Sequence, residues 1–505
     1  MVHSSFLNAV RTGATIAFVV LAAPVLIGCA RSSAIGQDDS RVAAGSGPVA
    51  VAVPGEVITP GWNRSYRSGD IDSSGRVAAG SEILHLVGHK GKLYAAASFW
   101  MDPRNLWYGG KSPNTGWGQV LRLDRPEGRW EVDLEMRSHL RPEILQSVTF
   151  ATDDHGRTLT TPVNLLLAST YEGNGDQGIS LFTRDDSTGA WAKTKIVTGA
   201  TGKRGEDNSV RAMRVYRDKV TGVDRLFVSI GVLGVFSGVY DPNAAGKIRW
   251  DVISESGPVA TRPLSIIEAN GALLFSADKF IYRRIDGAQP SYALAHDLSD
   301  LQAGNAFSPV GGIRGMTAIA NPQGAGQSLI FVWAPGNRSK ACIFRLDPDG
   351  KNGYSRVQET CLDSLITHYL GGTPVHFVLA GYNNLLPVVD PATREVVHLI
   401  GLEAWIGGQR YPTTQRKAEG GFYAGAVFAI RNRNGGYRLG EVNGRIIPSN
   451  PPLVATRAYA LSPFAGDDAK VVYFGGYDCN FVRSSDTAWI FRTTLTTALR
   501  RDASE

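Results

Sequence analysis

The sequence predicts an all-β chain built as a seven-bladed β-propeller whose ring is closed by an N-terminal strand. Three observations lead there. Glycine makes up 58 of 505 residues and helix-period apolar patterning is hard to find, which favours many short strands joined by tight turns. An apolar hairpin recurs along the chain. Its second strand usually ends in an aspartate. A four-stranded unit cannot bury its faces alone, and stacking such units radially covers each by its neighbour and leaves few free edges.

The first strands of the hairpins are 93–99 (LYAAASF), 164–170 (NLLLAST), 225–231 (RLFVSIG), 273–279 (LLFSADK), 329–335 (LIFVWAP), 376–382 (HFVLAGY) and 471–477 (VVYFGGY). Their partners read GQVLRLD, ISLFTRD, FSGVYD, FIYRRID, CIFRLD, NLLPVVD and TAWIFR. Asp124, Asp185, Asp241, Asp286, Asp347 and Asp390 close six of them. An aspartate there can bond the backbone two residues on, so these six carboxylates are assigned to turns and not to catalysis. Trp130, Trp191 and Trp250 follow three of the turns and are expected to pack between blades. The last blade lacks an outer strand, which 48–58 (PVAVAVPGEVI) can supply. Residues 402–450 exceed what a blade needs and read as an inserted hairpin.

The start of the chain reads as an export signal. Arg11 precedes an apolar run from Ala14 to Ile27, too short for a membrane span of about 20 residues. The tetrapeptide Leu26-Ile27-Gly28-Cys29 resembles the lipobox of bacterial lipoproteins, which implies acylation of Cys29 and a membrane-anchored protein facing the periplasm or cell surface. The predicted organisation is a signal peptide over 1–28, a flexible tether over 29–47, the propeller over 48–497 and a C-terminal tail over 498–505. Cys342 and Cys361 flank the turn 347–353 almost symmetrically. In an oxidising compartment that predicts a disulfide, leaving Cys479 free. The unit YFGGYD (473–478), with the strand, loop, strand, turn and Trp pattern of the first three blades, resembles Kelch-type repeats. That resemblance implies a propeller and no single activity.

Two loop sets are candidates for the site. The first offers aromatic and amide groups, Trp100, Trp107, Tyr171, Asn383 and Tyr477 among them, which suit sugar rings. The second carries an arginine at the start of the innermost strand in five blades: Arg141, Arg211, Arg262, Arg314 and Arg457. Converging guanidinium groups need carboxylate partners or an anionic ligand, which they bind through paired hydrogen bonds. His139, His368, Tyr369 and Tyr382 are the candidates for proton transfer, and His85 lies on an inner strand. Histidine or tyrosine beside arginine can abstract a proton next to a neutralised carboxylate. The expectation is therefore an acidic-glycan-binding protein that, in its enzymatic form, is a polysaccharide lyase. The alternatives are a non-catalytic envelope scaffold and a glycan hydrolase or epimerase using loop carboxylates. The expected partner is an acidic polysaccharide or another anionic small ligand, and the chain is expected to be a monomer.

The net charge of +6 agrees with an acidic ligand. There is no phosphate loop, zinc-protease motif, dinucleotide fingerprint or nucleophile elbow, and no basic run that would suit nucleic acid. No cofactor is predicted, and a divalent metal stays open. Asp347, Asp349 and Asn352 faintly resemble a calcium loop, but Lys351 takes a ligand position, so a hairpin turn is the reading.

Overall fold

The computed structural model describes residues 56–99, 116–173, 175–201, 208–301, 312–334, 340–351, 353–381, 383–406, 421–445, 453–477 and 487–500. Among the described residues the chain is all-β, with two α-helices, α1 (Leu362–Tyr369) of two turns and a single turn at Leu495–Ala498. Five antiparallel four-stranded units follow one another. Unit 1 spans Glu82–Glu135, unit 2 Ile144–Val197, unit 3 Val210–Trp250, unit 4 Ser265–Asp297 and unit 5 Gly312–Cys361. In each, the strands pair in sequence order, as the apolar hairpins predict.

Unit 6 corrects the sequence reading. Val375–Ala380 and Leu386–Val389 lie end to end along one partner, Val396–Ile406, so together they form the inner strand. Gly425–Arg431 and Tyr437–Glu441 then add the third and fourth strands. The hairpin expected as an insertion, Gly425–Arg431 with Tyr437–Glu441, is thus the outer half of unit 6, while 407–420 and 446–450 lie outside the described residues. Asp390 turns the inner hairpin, where its carboxylate accepts the Ala392 N–H at 2.8 Å. The break at 381–385 misled the reading, because it gave one strand the look of two.

Unit 7 comprises Leu453–Leu461, Val471–Tyr477 and Trp489–Thr494, and its fourth strand is N-terminal, Trp62–Arg67. The N-terminal contribution was expected from 48–58, of which 48–55 lie outside the described residues. Trp62–Arg67 suits the role because Trp62 and Tyr66 alternate inward and are buried. Trp130 of unit 1 donates its indole N–H to Ser65 of this strand at 3.0 Å. Apolar clusters fill the spaces between successive units, including one that joins units 7 and 1 through Tyr66, Trp130 and Tyr473. Cys342 and Cys361 face each other across unit 5 and are disulfide-bonded. Asp349 accepts the N–H groups of Lys351 and Gly353 at 2.7 and 3.0 Å, which is turn geometry.

Candidate functional site

One cavity of about 390 Å³ is lined by His85, Gln146, Arg211, Ile266, Thr317, Asn383 and Tyr459, one residue from each unit in turn. Several inner strands shift register at the same level, between Ile83 and His85, Val210 and Met213, Arg314 and Thr317, and Thr456 and Ala458. Such bulges re-aim side chains, and Arg211, Arg314 and Arg457 stand at three of them. Gly315, at φ +62°, lets units 5 and 6 approach, since a Cβ there would meet the Asn383 carbonyl at 2.7 Å.

At this level lies a belt of buried charge. Arg211 Nη1 is 2.5 Å from Glu143 Oε2, and Glu143 Oε1 is 3.3 Å from Arg141 Nε. Arg141 donates to Glu82 Oε1 at 3.1 Å. Glu82 Oε2 lies 3.9 Å from Arg457 Nε, and Arg457 Nη2 is 3.5 Å from Glu403 Oε1. Arg314 acts electrostatically on the same Glu403. The chain of charges runs from unit 3 through the connection of units 1 and 2 to units 1, 7, 6 and 5. Arg262 is buried at the lead-in to unit 4. Burial pushes the Glu403 carboxyl above the ordinary range, with Glu82 adding to the shift and Arg457 and Arg314 opposing it. Its Oε2 makes no hydrogen bond.

All five predicted arginines are therefore buried, but at least three of them pair with glutamates that the sequence reading did not single out. A signal was there: Glu82 and Glu143 open the same tripeptide, Glu-Ile-Leu, at the start of successive inner strands. Glu403 is a lone acid inside an apolar strand.

The proton-transfer candidates fare differently. His139 is fully buried, with Nδ1 2.9 Å from the Tyr171 carbonyl and Nε2 2.8 Å from Asp176. Burial and Lys193 hold its imidazole below the ordinary value, and both nitrogens are engaged, so it fastens a connection rather than moving protons. His368 and Tyr369 lie on α1, which packs on strands of units 5 and 6 that include both outermost ones. The Arg445 guanidinium stacks over Tyr369 at 4.7 Å. An eight-residue helix was not foreseen there; it packs on Val375–Ala380 of unit 6 as well as on the outer strands, and neither side chain lines the cavity. His85 does face the cavity. Its Nε2 is 3.0 Å from the Glu143 carbonyl, and burial pushes it down to about 4, so it is neutral.

Among the sugar-platform candidates, Tyr171 and Tyr477 are buried. Tyr477 accepts a hydrogen bond from Arg457 at 3.0 Å and lies under its guanidinium, so it supports the arginine. Asn383 sits in the break of the unit 6 inner strand, not in an outer loop. Its amide donates to the carbonyls of Leu84 and Arg457 at 2.9 and 2.7 Å, stitching units 6, 1 and 7 together. Trp100, Trp107, Tyr382, Cys29 and Cys479 lie outside the described residues. Among the described residues no group of three or more His, Cys, Asp or Glu side chains is placed to hold a metal ion.

A second set of buried arginines lies farther out, between units. Asp133 on the outer strand of unit 1 receives Arg184 Nε at 2.7 Å and the Trp191 indole N–H at 2.8 Å from unit 2. Glu255 after unit 3 receives Arg284 at 2.7 Å and the Tyr292 hydroxyl at 2.6 Å from unit 4. Glu359 of unit 5 receives Arg431 at 2.6 and 2.7 Å and the Tyr437 hydroxyl at 2.5 Å from unit 6. Acid, arginine and aromatic donor thus recur at every second junction. Trp191 packs between units as predicted, but through a polar contact.

No family model and no curated protein sequence matches the chain. Among solved structures, an α-L-arabinanase from Penicillium chrysogenum complexed with arabinobiose is similar at 9% identity, over 88% of this chain and 100% of that one, with a TM-score of 0.42. A protein of unknown function from Dyadobacter fermentans is similar at 11% identity over 88% and 100%, with a TM-score of 0.36. The catalytic domain of an α-L-arabinofuranosidase from Coprinopsis cinerea is similar at 12% identity over 61% and 96%, with a TM-score of 0.25. Likeness this distant carries no functional information by itself.

Proposed function

We propose that the seven units form a seven-bladed β-propeller closed by its N-terminal strand, and that this exported, lipid-anchored protein binds an acidic glycan at the axial charge belt. The observation that carries the reading is the recurrence of five buried arginines at equivalent positions near the inner strands, with Arg211 lining the cavity that all seven units share. An acidic sugar presents a carboxylate that guanidinium groups grip through paired hydrogen bonds. The cavity lined by all seven units gives a neighbouring concave surface. The disulfide fits an oxidising compartment.

A second reading is hydrolytic. Glu82 and Glu403 flank the same Arg457 guanidinium, and burial favours the protonated form of Glu403. A pair of carboxyls, one of them favoured in its protonated form, is what glycoside hydrolysis uses as acid and base. Elimination is less well supported, because His139, His368 and Tyr369 lie elsewhere and only His85 among the described imidazoles lines the cavity. Incubation with acidic polysaccharides separates the readings. New reducing ends with unsaturated-sugar absorbance mean a lyase. Reducing ends without that absorbance mean a hydrolase. Binding without cleavage means a receptor. Absence of binding across acidic glycans overturns the proposal and leaves the envelope scaffold.

A further inference from the structure

Away from the belt, between units 1 and 2, three side chains form an ordered relay. Ser147 Oγ is 2.8 Å from His89 Nδ1, and His89 Nε2 is 3.0 Å from Asp186 Oδ2. His89 ends the inner strand of unit 1, Ser147 lies on the inner strand of unit 2, and Asp186 lies in the turn after the third strand of unit 2. His89 is buried, while Ser147 and Asp186 are each partly exposed residues at this junction. Burial holds His89 below the ordinary value, against the pull of Asp186. The ring is then neutral near pH 7 and carries one proton. Despite its own burial, Asp186 is held down to about 2 by Lys90, His89 and Arg184, so it is anionic and can only accept. The proton therefore sits on Nε2, and the Nδ1 lone pair faces the serine hydroxyl.

We propose that Ser147, His89 and Asp186 form a hydrolytic site for short-chain acyl esters, separate from the axial belt. The order of hydroxyl, imidazole and carboxylate is that of serine hydrolases, with the two ring nitrogens exchanged, and such sites are recognised by roles and not by fold. Ser147 Oγ attacks the ester carbonyl carbon as its proton passes to His89 Nδ1. The C–O bond of the ester breaks and the departing alkoxide takes that proton from Nδ1. Water then attacks the acyl-serine, gives a proton to Nδ1, and the acid leaves as Nδ1 returns the proton to Ser147. Asp186 orients the ring and balances the imidazolium. The Asn164 carboxamide lies beside the nucleophile: its Oδ1 is a second acceptor for the Ser147 hydroxyl at 3.1 Å, and its Nδ2 donates to the exposed Thr149 hydroxyl at 2.9 Å. Turned from Thr149, that N–H is the donor for the oxyanion. Tyr94 and Leu145 are packed core side chains at this junction, so the proposed substrate is limited to a small acyl group of acetyl size.

The test treats the full chain with a fluorophosphonate probe, locates the label by peptide mass spectrometry, and follows hydrolysis of p-nitrophenyl acetate. Expected are a label on Ser147 and, in Ser147→Ala, loss of the label with a drop in turnover of roughly 100-fold or more at an unchanged unfolding midpoint. An unlabelled Ser147 in the folded chain, or equal turnover by wild type and Ser147→Ala, overturns the site. Glycan binding at the axis is read separately, so either proposal can fail alone.

Discussion

The protein holds two sets of buried arginines, and they are built differently. Those between units are saturated at short range. Arg284 alone reaches Glu255 at 2.7 Å, Asp218 at 2.6 Å and Asp286 at 2.5 Å. Arg345 and Arg431 share Glu359. At the axis, most of the contacts that link the belt run from 3.1 to 3.9 Å, and Glu403 keeps an oxygen without a hydrogen bond. Breaking a buried pair costs most where the remaining charge has no other partner. The outer set therefore locks neighbouring units together, whereas the axial set gathers beside the cavity that all seven units line, where we propose that a ligand binds.

The sharpest test of this contrast is Glu359→Ala. It leaves Arg345, Arg431 and the Tyr437 hydroxyl without their shared acceptor, and urea unfolding should show a loss of about 3–5 kcal/mol. Arg211→Met at the axis should lower stability by less than half of that, because Arg141 still pairs with Glu143, while weakening glycan binding at least about tenfold, or 1.4 kcal/mol. Equal destabilisation of the two variants would erase the distinction. Trp191→Phe keeps the ring between units and removes one hydrogen bond to Asp133, so thermal unfolding should report about 1 kcal/mol.

The smallest effect is a pair of opposed pH dependences. Glu403 has a raised folded value, so the stability it contributes is present at low pH and is lost as pH rises through that value. Glu403→Gln should flatten the alkaline side of a stability–pH profile. His85 at the axis and His398 between units are both pushed by burial from the ordinary imidazole range down to about 4. The unfolded chain binds their protons first, so stability should fall as pH drops from about 6.5 toward 4. His85→Gln and His398→Gln should each reduce that slope.

The all-β class and the order of most units were legible because hairpins repeat with alternating apolar strands and aspartate turns. Unit 6 was misread because its inner strand breaks at 381–385 and because Asp390 imitates the aspartate of a later turn. The axial arginines were legible from their place in the repeat, and their partners less so, because pairing joins residues as far apart as Glu82 and Arg457. The outer triads were not read at all. Their acids lie dozens of residues from their arginines, and only the stacking of one unit on the next brings Glu359 to Arg431 or Asp133 to Arg184. The helix at Leu362–Tyr369 was missed because Cys361, already assigned to a strand, directly precedes it.

The most direct test of the axial proposal is calorimetric titration of the full chain with an oligogalacturonate and with its methyl ester, which has the same sugar rings but no carboxylate. The account predicts binding of the acid, loss of affinity for the ester, and loss of acid binding in Arg211→Met with the fold retained. Equal affinity for acid and ester, or binding untouched by Arg211→Met, would contradict it.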